Sequence, residues 1–173
     1  LPIGRIDMAI DLVLPPASGE GAGARADNVT LCTYADTMRV PASGGLSLMK
    51  AKARGADIRM VYSAADVLRI AREEPDRQVV FFAIGFETTT PPTALVVKQA
   101  ALLKLENFSV FVNHVLTPSA IAHILESPEV RDLGTVVIDG FVGPAHVSTI
   151  IGSQPYEYFA EEYRKPVVIA GFE

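Results

Sequence analysis

Six short apolar runs, rich in β-branched and aromatic residues, alternate along this chain with stretches of helical composition, and that alternation limits the fold more than any other feature. The runs cover residues 29–34, 58–62, 79–84, 108–112, 136–138 and 167–169. The helical stretches cover 46–54, 65–74, 92–104, 118–126 and 146–164, the last broken near 152–155. A strand with one wet face alternates apolar and polar residues; these runs are apolar almost throughout, as strands covered on both faces are. Parallel strands need crossovers, and right-handed helical crossovers cover both faces of a sheet. The expected class is therefore α/β, with parallel sheets flanked by helices.

Local signals agree. In 65–74, Val67, Leu68, Ile70 and Ala71 form an apolar stripe beside Arg69, Arg72 and Glu73, Ser63 or Ala64 stands at the start, and Pro75 stops the helix. Pro91 and Pro92 suit the entrance of the next helix and Asn107 its exit. The Gly- and Ala-rich stretch 15–26 has no periodic apolar face and reads as a mobile surface loop. Lys and Arg number 15 against 20 Asp and Glu, and they are scattered, which argues against a nucleic-acid partner. No apolar run approaches the roughly 18–20 residues of a spanning helix, so no membrane role is expected. One cysteine, Cys32, permits neither an internal disulfide nor a thiolate cluster and fits a reduced, cytoplasmic setting. Leu1 in place of Met, with no leader after it, reads as an excised piece or processed product.

Candidate chemistry gathers where strands end, the edge along which α/β sheets bind ligands. The most distinctive segment is Gly85-Phe86-Glu87-Thr88-Thr89-Thr90-Pro91-Pro92. Thr88, Thr89 and Thr90 at a helix N-terminus suit a phosphate or another small anion, Thr88 and Thr89 being the candidate cofactor-binding residues, and Glu87 suits a base or a group that orients a partner; the plainer alternative is helix capping. His114 follows the run 108–112, and His146 and Ser148 follow the run 136–138. The two histidines suit acid and base roles or metal ligation, or simply loop carbonyls. No HExxH-type spacing supports a metal triad of two His and Glu87, and no metal ligand is assigned. Asp36 and Arg39 follow the first run and are close enough in sequence to pair, fixing a loop or clamping an anion. Ser63 reads as a cap, since no nucleophile elbow surrounds it, and His123 as a surface residue. Ala83-Ile84-Gly85-Phe86-Glu87 is echoed by Ile169-Ala170-Gly171-Phe172-Glu173, and more loosely by Ile138-Asp139-Gly140-Phe141.

Taken in order, Leu1-Pro2-Ile3-Gly4-Arg5-Ile6-Asp7, Thr33-Tyr34-Ala35-Asp36-Thr37-Met38-Arg39-Val40-Pro41, Lys50-Ala51-Lys52-Ala53-Arg54-Gly55-Ala56-Asp57, the segment from Val80 to Thr89, Pro144-Ala145-His146-Val147-Ser148 and Gly171-Phe172-Glu173 resemble the HypD family of [NiFe]-hydrogenase maturation scaffolds. The resemblance implies two α/β domains facing a cleft plus a cluster domain. It implies a scaffold on which the Fe(CN)2CO unit is assembled with HypC-like and HypE-like partners, and a redox-active [4Fe-4S] cluster in the intact protein. The family's cysteine motifs, Cys-Gly-Gly-His-Thr-His and Gly-Pro-Gly-Cys-Pro-Val-Cys, are not in this sequence, nor are its cluster cysteines, so this piece is expected to hold no cofactor and to be inactive alone. Ala35 and Ala145 stand where the family usually has Gly.

With four strands per domain, residues 1–75 would supply only the last two strands of a first domain and 76–173 a complete second one. The open sheet edge would then offer self-association through 29–34 and 58–62. The competing function is a small α/β transferase or hydrolase using Glu87, His114 and His146 on an anionic substrate.

Overall fold

A computed structural model describes residues 2–14, 28–134 and 137–171, so the loop expected at 15–26 lies outside the described residues. The chain forms two compact units, Leu1–Ile84 with Pro91–Asn113, and Gly85–Thr90 with His114–Glu173.

The first unit is built on strands β1 (Val29–Thr33), β2 (Ile58–Met60), β3 (Gln78–Gly85) and β4 (Phe108–His114). Helices α1 (Ile3–Asp11), α2 (Leu48–Ala53), α3 (Ala64–Glu73) and α4 (Thr90–Leu102) surround them. The strands form one parallel sheet in the order β2-β1-β3-β4. The central strands β1 and β3 are mostly buried on both faces, whereas β4 at the sheet's end has no fully buried residue. Leu31, Ile58 and Phe82 enter one core with Ile6, Ile10 and Leu48, while their neighbours Cys32 and Phe81 enter the opposite core with Val67, Leu68, Val96 and Ala100. Ser63 caps α3 in a reciprocal box with Asp66, as its position predicts. Helix α1 was not anticipated: Ile6, Ala9 and Ile10 form its buried stripe, but nine residues closed by neither a cap nor a glycine give little local signal.

Strand pairing overturns the expected division at 75/76. Val29, Thr30, Leu31 and Cys32 pair with Gln78, Val79, Val80 and Phe81, so the third strand completes the first sheet and does not begin a second. β1 accordingly has neighbours on both sides and offers no open edge at 29–34; the described sheet ends instead at the three-residue β2 and at β4. Sequence order cannot reveal this, because β3 inserts beside β1 after a crossover past β2.

An ionic cluster fastens the amino ends of the strands. Asp57 accepts from Thr30 Oγ1, from Arg59 at 2.9–3.0 Å and from Arg77 at 3.0 Å, while Glu74 accepts from Arg59. Burial pushes the Asp57 carboxyl up, but the hydrogen bonds and charges of Arg59, Thr30 and Arg77 outweigh it and hold the group below the usual carboxylate range.

The second unit contains α5 (Thr117–Leu125), α6 (Pro128–Arg131), β5 (Phe141–Pro144), α7 (Ala145–Ile151), α8 (Gln154–Glu161) and β6 (Val167–Ala170). Helices α7 and α8 separate at Gly152 and Ser153, where the sequence predicts a break. β5 and β6 pair in parallel, Phe141 opposite Val167 through Pro144 opposite Ala170. The strand expected at 136–138 is therefore displaced to 141–144: Val137 is 80% exposed and Ile138 lies outside any strand, whereas Val136 is outside the described residues. Three apolar residues carry too little information to choose between neighbouring registers. Ile121, Leu125, Tyr156 and Phe159 form this unit's core.

Candidate functional site

The Gly-Phe-Glu-Thr-Thr-Thr segment folds into a tight turn between β3 and α4. Gly85 opens it at φ +130°, a conformation that side-chain-bearing residues rarely adopt, and a Cβ there would meet Thr89 Oγ1 at 2.1 Å. The Phe86 carbonyl gathers the turn, accepting from the Thr89 amide at 3.1 Å, Thr89 Oγ1 at 3.0 Å and Thr90 Oγ1 at 3.2 Å. Two of the three hydroxyls thus build the turn itself by donating to one carbonyl, which differs from the N-cap bond, where a side-chain oxygen accepts from a backbone amide.

Glu87 is 4% exposed, and its carboxylate is committed. One oxygen accepts from the Thr117 amide at 2.5 Å and the other from Thr117 Oγ1 at 3.1 Å. Thr117 is the first residue of α5, whose N-cap position, Leu116, provides no side-chain bond. Glu87 therefore serves as a distant cap, its negative charge set against the positive end of the helix dipole. The sequence places Glu87 beside the start of α4; only the fold reveals that it closes α5, thirty residues further on.

His114 ends β4 beside this turn. Its Nδ1 lies 3.3 Å from Thr89 Oγ1, and the following amide, Val115, donates to the Gly85 carbonyl at 2.9 Å. Burial lowers the imidazole pKa from its usual value, and a hydrogen bond with the Gly85 backbone only partly opposes that. Because its folded pKa is depressed, His114 contributes stability above the unfolded imidazole value of about 6.5 that is lost as pH falls toward the folded value. A proton NMR titration, with His114 assigned through His114→Gln, is expected to give a midpoint below about 6.5; a midpoint at or above it would refute this environment.

Glu87, Thr88, Thr89 and His114 thus belong to one turn region at the carboxyl ends of β3 and β4. His146 and Ser148 do not share that sheet. They lie at the start of α7, after β5, where His146 is exposed and Ser148 Oγ donates to the Pro144 carbonyl at 3.1 Å. Asp36 and Arg39 lie after β1, and the pair expected between them is not made. Asp36 accepts from the Thr37 amide at 2.9 Å, while Arg39 enters no ion pair among the described residues. His123 is exposed on α5. The echo of the turn at 169–173 runs into Phe172 and Glu173, which are outside the described residues.

Comparison with known proteins gives this turn its setting. A family model named HypD, described as the hydrogenase formation hypA family, matches residues 18–173. The chain belongs to the HypD family. It is 66% identical over its whole length to the hydrogenase maturation factor HypD of Cupriavidus necator and 67% identical to that of Rhizobium leguminosarum bv. viciae. Identity to the HypD of Escherichia coli is 43%. The chain spans only 43%, 42% and 42% of those three proteins, respectively.

Within this chain the two alanines that depart from the family pattern sit without strain. Ala35 opens a 3-10 segment and Ala145 opens α7, and neither has a positive φ. The residues present do not fit an iron–sulfur cluster. Such a cluster takes four thiolates, whereas Cys32 is fully buried and burial pushes its thiol up to about 12. Among the described residues no three His, Cys, Asp or Glu side chains converge to hold a metal ion. None of the described helices is long and apolar enough to cross a membrane.

Proposed function

We propose that this chain is part of a cytoplasmic scaffold on which the Fe(CN)2CO unit of a [NiFe]-hydrogenase is assembled, with HypC-like and HypE-like proteins as partners. The iron unit is cargo. Under this reading, thiolates outside these 173 residues hold it, as they hold any cluster of the longer protein, and the present residues furnish a polar wall.

The observation that carries this reading is the commitment of Glu87. A general base must be within reach of a substrate proton, and a buried carboxylate with both oxygens occupied by Thr117 is a structural member. That favours a scaffold over the transferase or hydrolase alternative. The Glu87 cap and the contact between Thr89 and His114 keep the turn in one geometry, as a wall beside which a metal unit is assembled requires.

The test uses the full-length protein purified with its maturation partners, read by infrared absorption in the cyanide and carbonyl stretching region. The natural protein is expected to carry those bands. Glu87→Ala, which releases α5 from the turn, is expected to lower their yield by about 10- to 100-fold, the range found when groups supporting a metal site are removed. Glu87→Gln keeps an acceptor for the Thr117 amide and should retain more. Bands missing from the natural protein, or unchanged in Glu87→Ala, would overturn the reading.

A further inference from the structure

A groove of about 560 Å3 lies in the first unit at the carboxyl ends of β1 and β2, and its reading does not depend on the role proposed for the turn. Met38, Met49 and Met60 floor it, and Ala35, Asp36, Arg39 and Lys52 complete its walls. Three of the chain's four methionines thus meet in one place, contributed by a 3-10 segment, α2 and β2.

The electrostatics of this place differ from those of the rest of the chain. Overall the formal charge is −5, yet residues 37–56 carry four cations, Arg39, Lys50, Lys52 and Arg54, and no carboxylate. None of the four enters an ion pair among the described residues. Lys50 and Lys52 donate to the Gly45 and Ile58 carbonyls, which position their ammonium groups without neutralising them. The one acid of the wall, Asp36, is engaged with the Thr37 amide and hydroxyl. Asp36 keeps its charge, so the wall is basic by one net charge, and among the described residues Arg39 and Lys52 stand as unpaired cations beside the apolar floor.

From this combination we infer that the groove docks an acidic amphipathic segment of a partner protein, its apolar side chains seated on Met38, Met49 and Met60 and its carboxylates facing Arg39 and Lys52. Thioether side chains are unbranched and polarisable, so they repack around varied apolar anchors and recur on surfaces that receive helices. A small ligand fits less well. Small-molecule sites bury about 70–90% of their ligand, whereas Met49 and Met60 on this lining stand 45% and 47% exposed. Opposite charge at the rim steers such a partner and sets its register, giving a salt-dependent association.

Methyl-13C methionine NMR gives a direct reading, with resonances assigned by single Met→Leu replacements. The probe is a synthetic amphipathic peptide with Leu on one face and Glu flanking it. Titration is expected to shift Met38, Met49 and Met60 and to leave Met8, which lines a different groove with Leu12 and Phe111, in place. The double variant Arg39→Glu with Lys52→Glu should weaken binding by at least about tenfold at low salt. The variant's own methionine spectrum checks that its fold is intact. A Leu-to-Ser version of the peptide should not bind. Three results would overturn the inference: no methionine shift, equal binding by the charge-reversed variant, or saturation of the same shifts by inorganic phosphate, which would make this a small-anion site.

Discussion

Gly85→Ala is expected to be the most damaging single-methyl change in the second unit, costing on the order of 3 kcal/mol or more. Two penalties combine. The φ of +130° strains any residue with a Cβ, and the new carbon would lie 2.1 Å from Thr89 Oγ1 and 3.0 Å from its Cγ2. Thr89 cannot yield cheaply, because its hydroxyl is bonded to the Phe86 carbonyl and lies beside His114. Urea titration should show the lost stability, and the His114 midpoint should move up toward its ordinary value as the ring becomes wetter. The two penalties separate in a double-mutant cycle. Thr89→Ala removes Oγ1 and Cγ2 and should recover part of the loss, leaving the backbone strain. An undiminished loss in the Thr89→Ala background would show that the close approach to Thr89 contributes nothing. A Gly85→Ala protein as stable as the parent would refute the turn geometry itself.

Asn107→Ala is expected to cost about 3 kcal/mol, far more than an ordinary loop asparagine. The side-chain amide of Asn107 is buried, and Nδ2 donates to three backbone carbonyls, Ala71 at 2.9 Å, Glu74 at 3.1 Å and Arg77 at 3.0 Å. Those carbonyls end α3 and lead into β3, while the Asn107 carbonyl itself accepts from the Val79 amide at 2.7 Å. One side chain thus closes the exit of a helix and ties it to the start of two strands. Truncation leaves buried acceptors without their donor, and for a chain of this size the midpoint of thermal unfolding should fall by roughly 6–12 °C. Asn107→Asp should be worse near neutral pH, since a carboxylate would face three carbonyl oxygens, and should improve as the pH drops toward the carboxyl range. Asn113→Ala serves as the control: among the described residues its amide donates to the nearby Phe111 carbonyl alone, at 3.3 Å, and its loss should stay below about 1 kcal/mol. Equal effects for the two asparagines would refute the bridging role of Asn107.

Much of this architecture is legible in the chain because the signals are local. Apolar runs of strand length announce β1 to β4 and β6: in β1 and β3 burial on both faces leaves little room for polar alternation, while β4 and β6 keep apolar runs although part of each is exposed. Ser63 with Asp66, and Pro75 after Glu73, announce the ends of α3, since capping and ring sterics act within a few residues. The family resemblance is legible for the same reason: its motifs are contiguous turns such as 85–90 and 144–148, each with its own short-range chemistry. Gly85 in particular is readable as a turn glycine, and the tertiary structure adds only the neighbour, Thr89, that makes the position intolerant.

Tertiary structure decided what depends on which segments meet. No local rule brings β3 beside β1 across an intervening strand, so the domain division drawn from strand counting fell in the wrong place. The strand at 136–138 gave way to 141–144 because pairing with β6, and not apolar content, selected the register. Glu87 and Asn107 look like a candidate base and a helix exit when only their neighbours in sequence are visible. Their partners lie thirty and more residues away, at Thr117, Ala71, Glu74 and Arg77. A buried polar group takes its role from whichever unsatisfied amide or carbonyl the fold delivers to it, because leaving either one unpaired away from water costs as much as a hydrogen bond. Sequence determines that such groups must be satisfied; only the packed chain determines by whom.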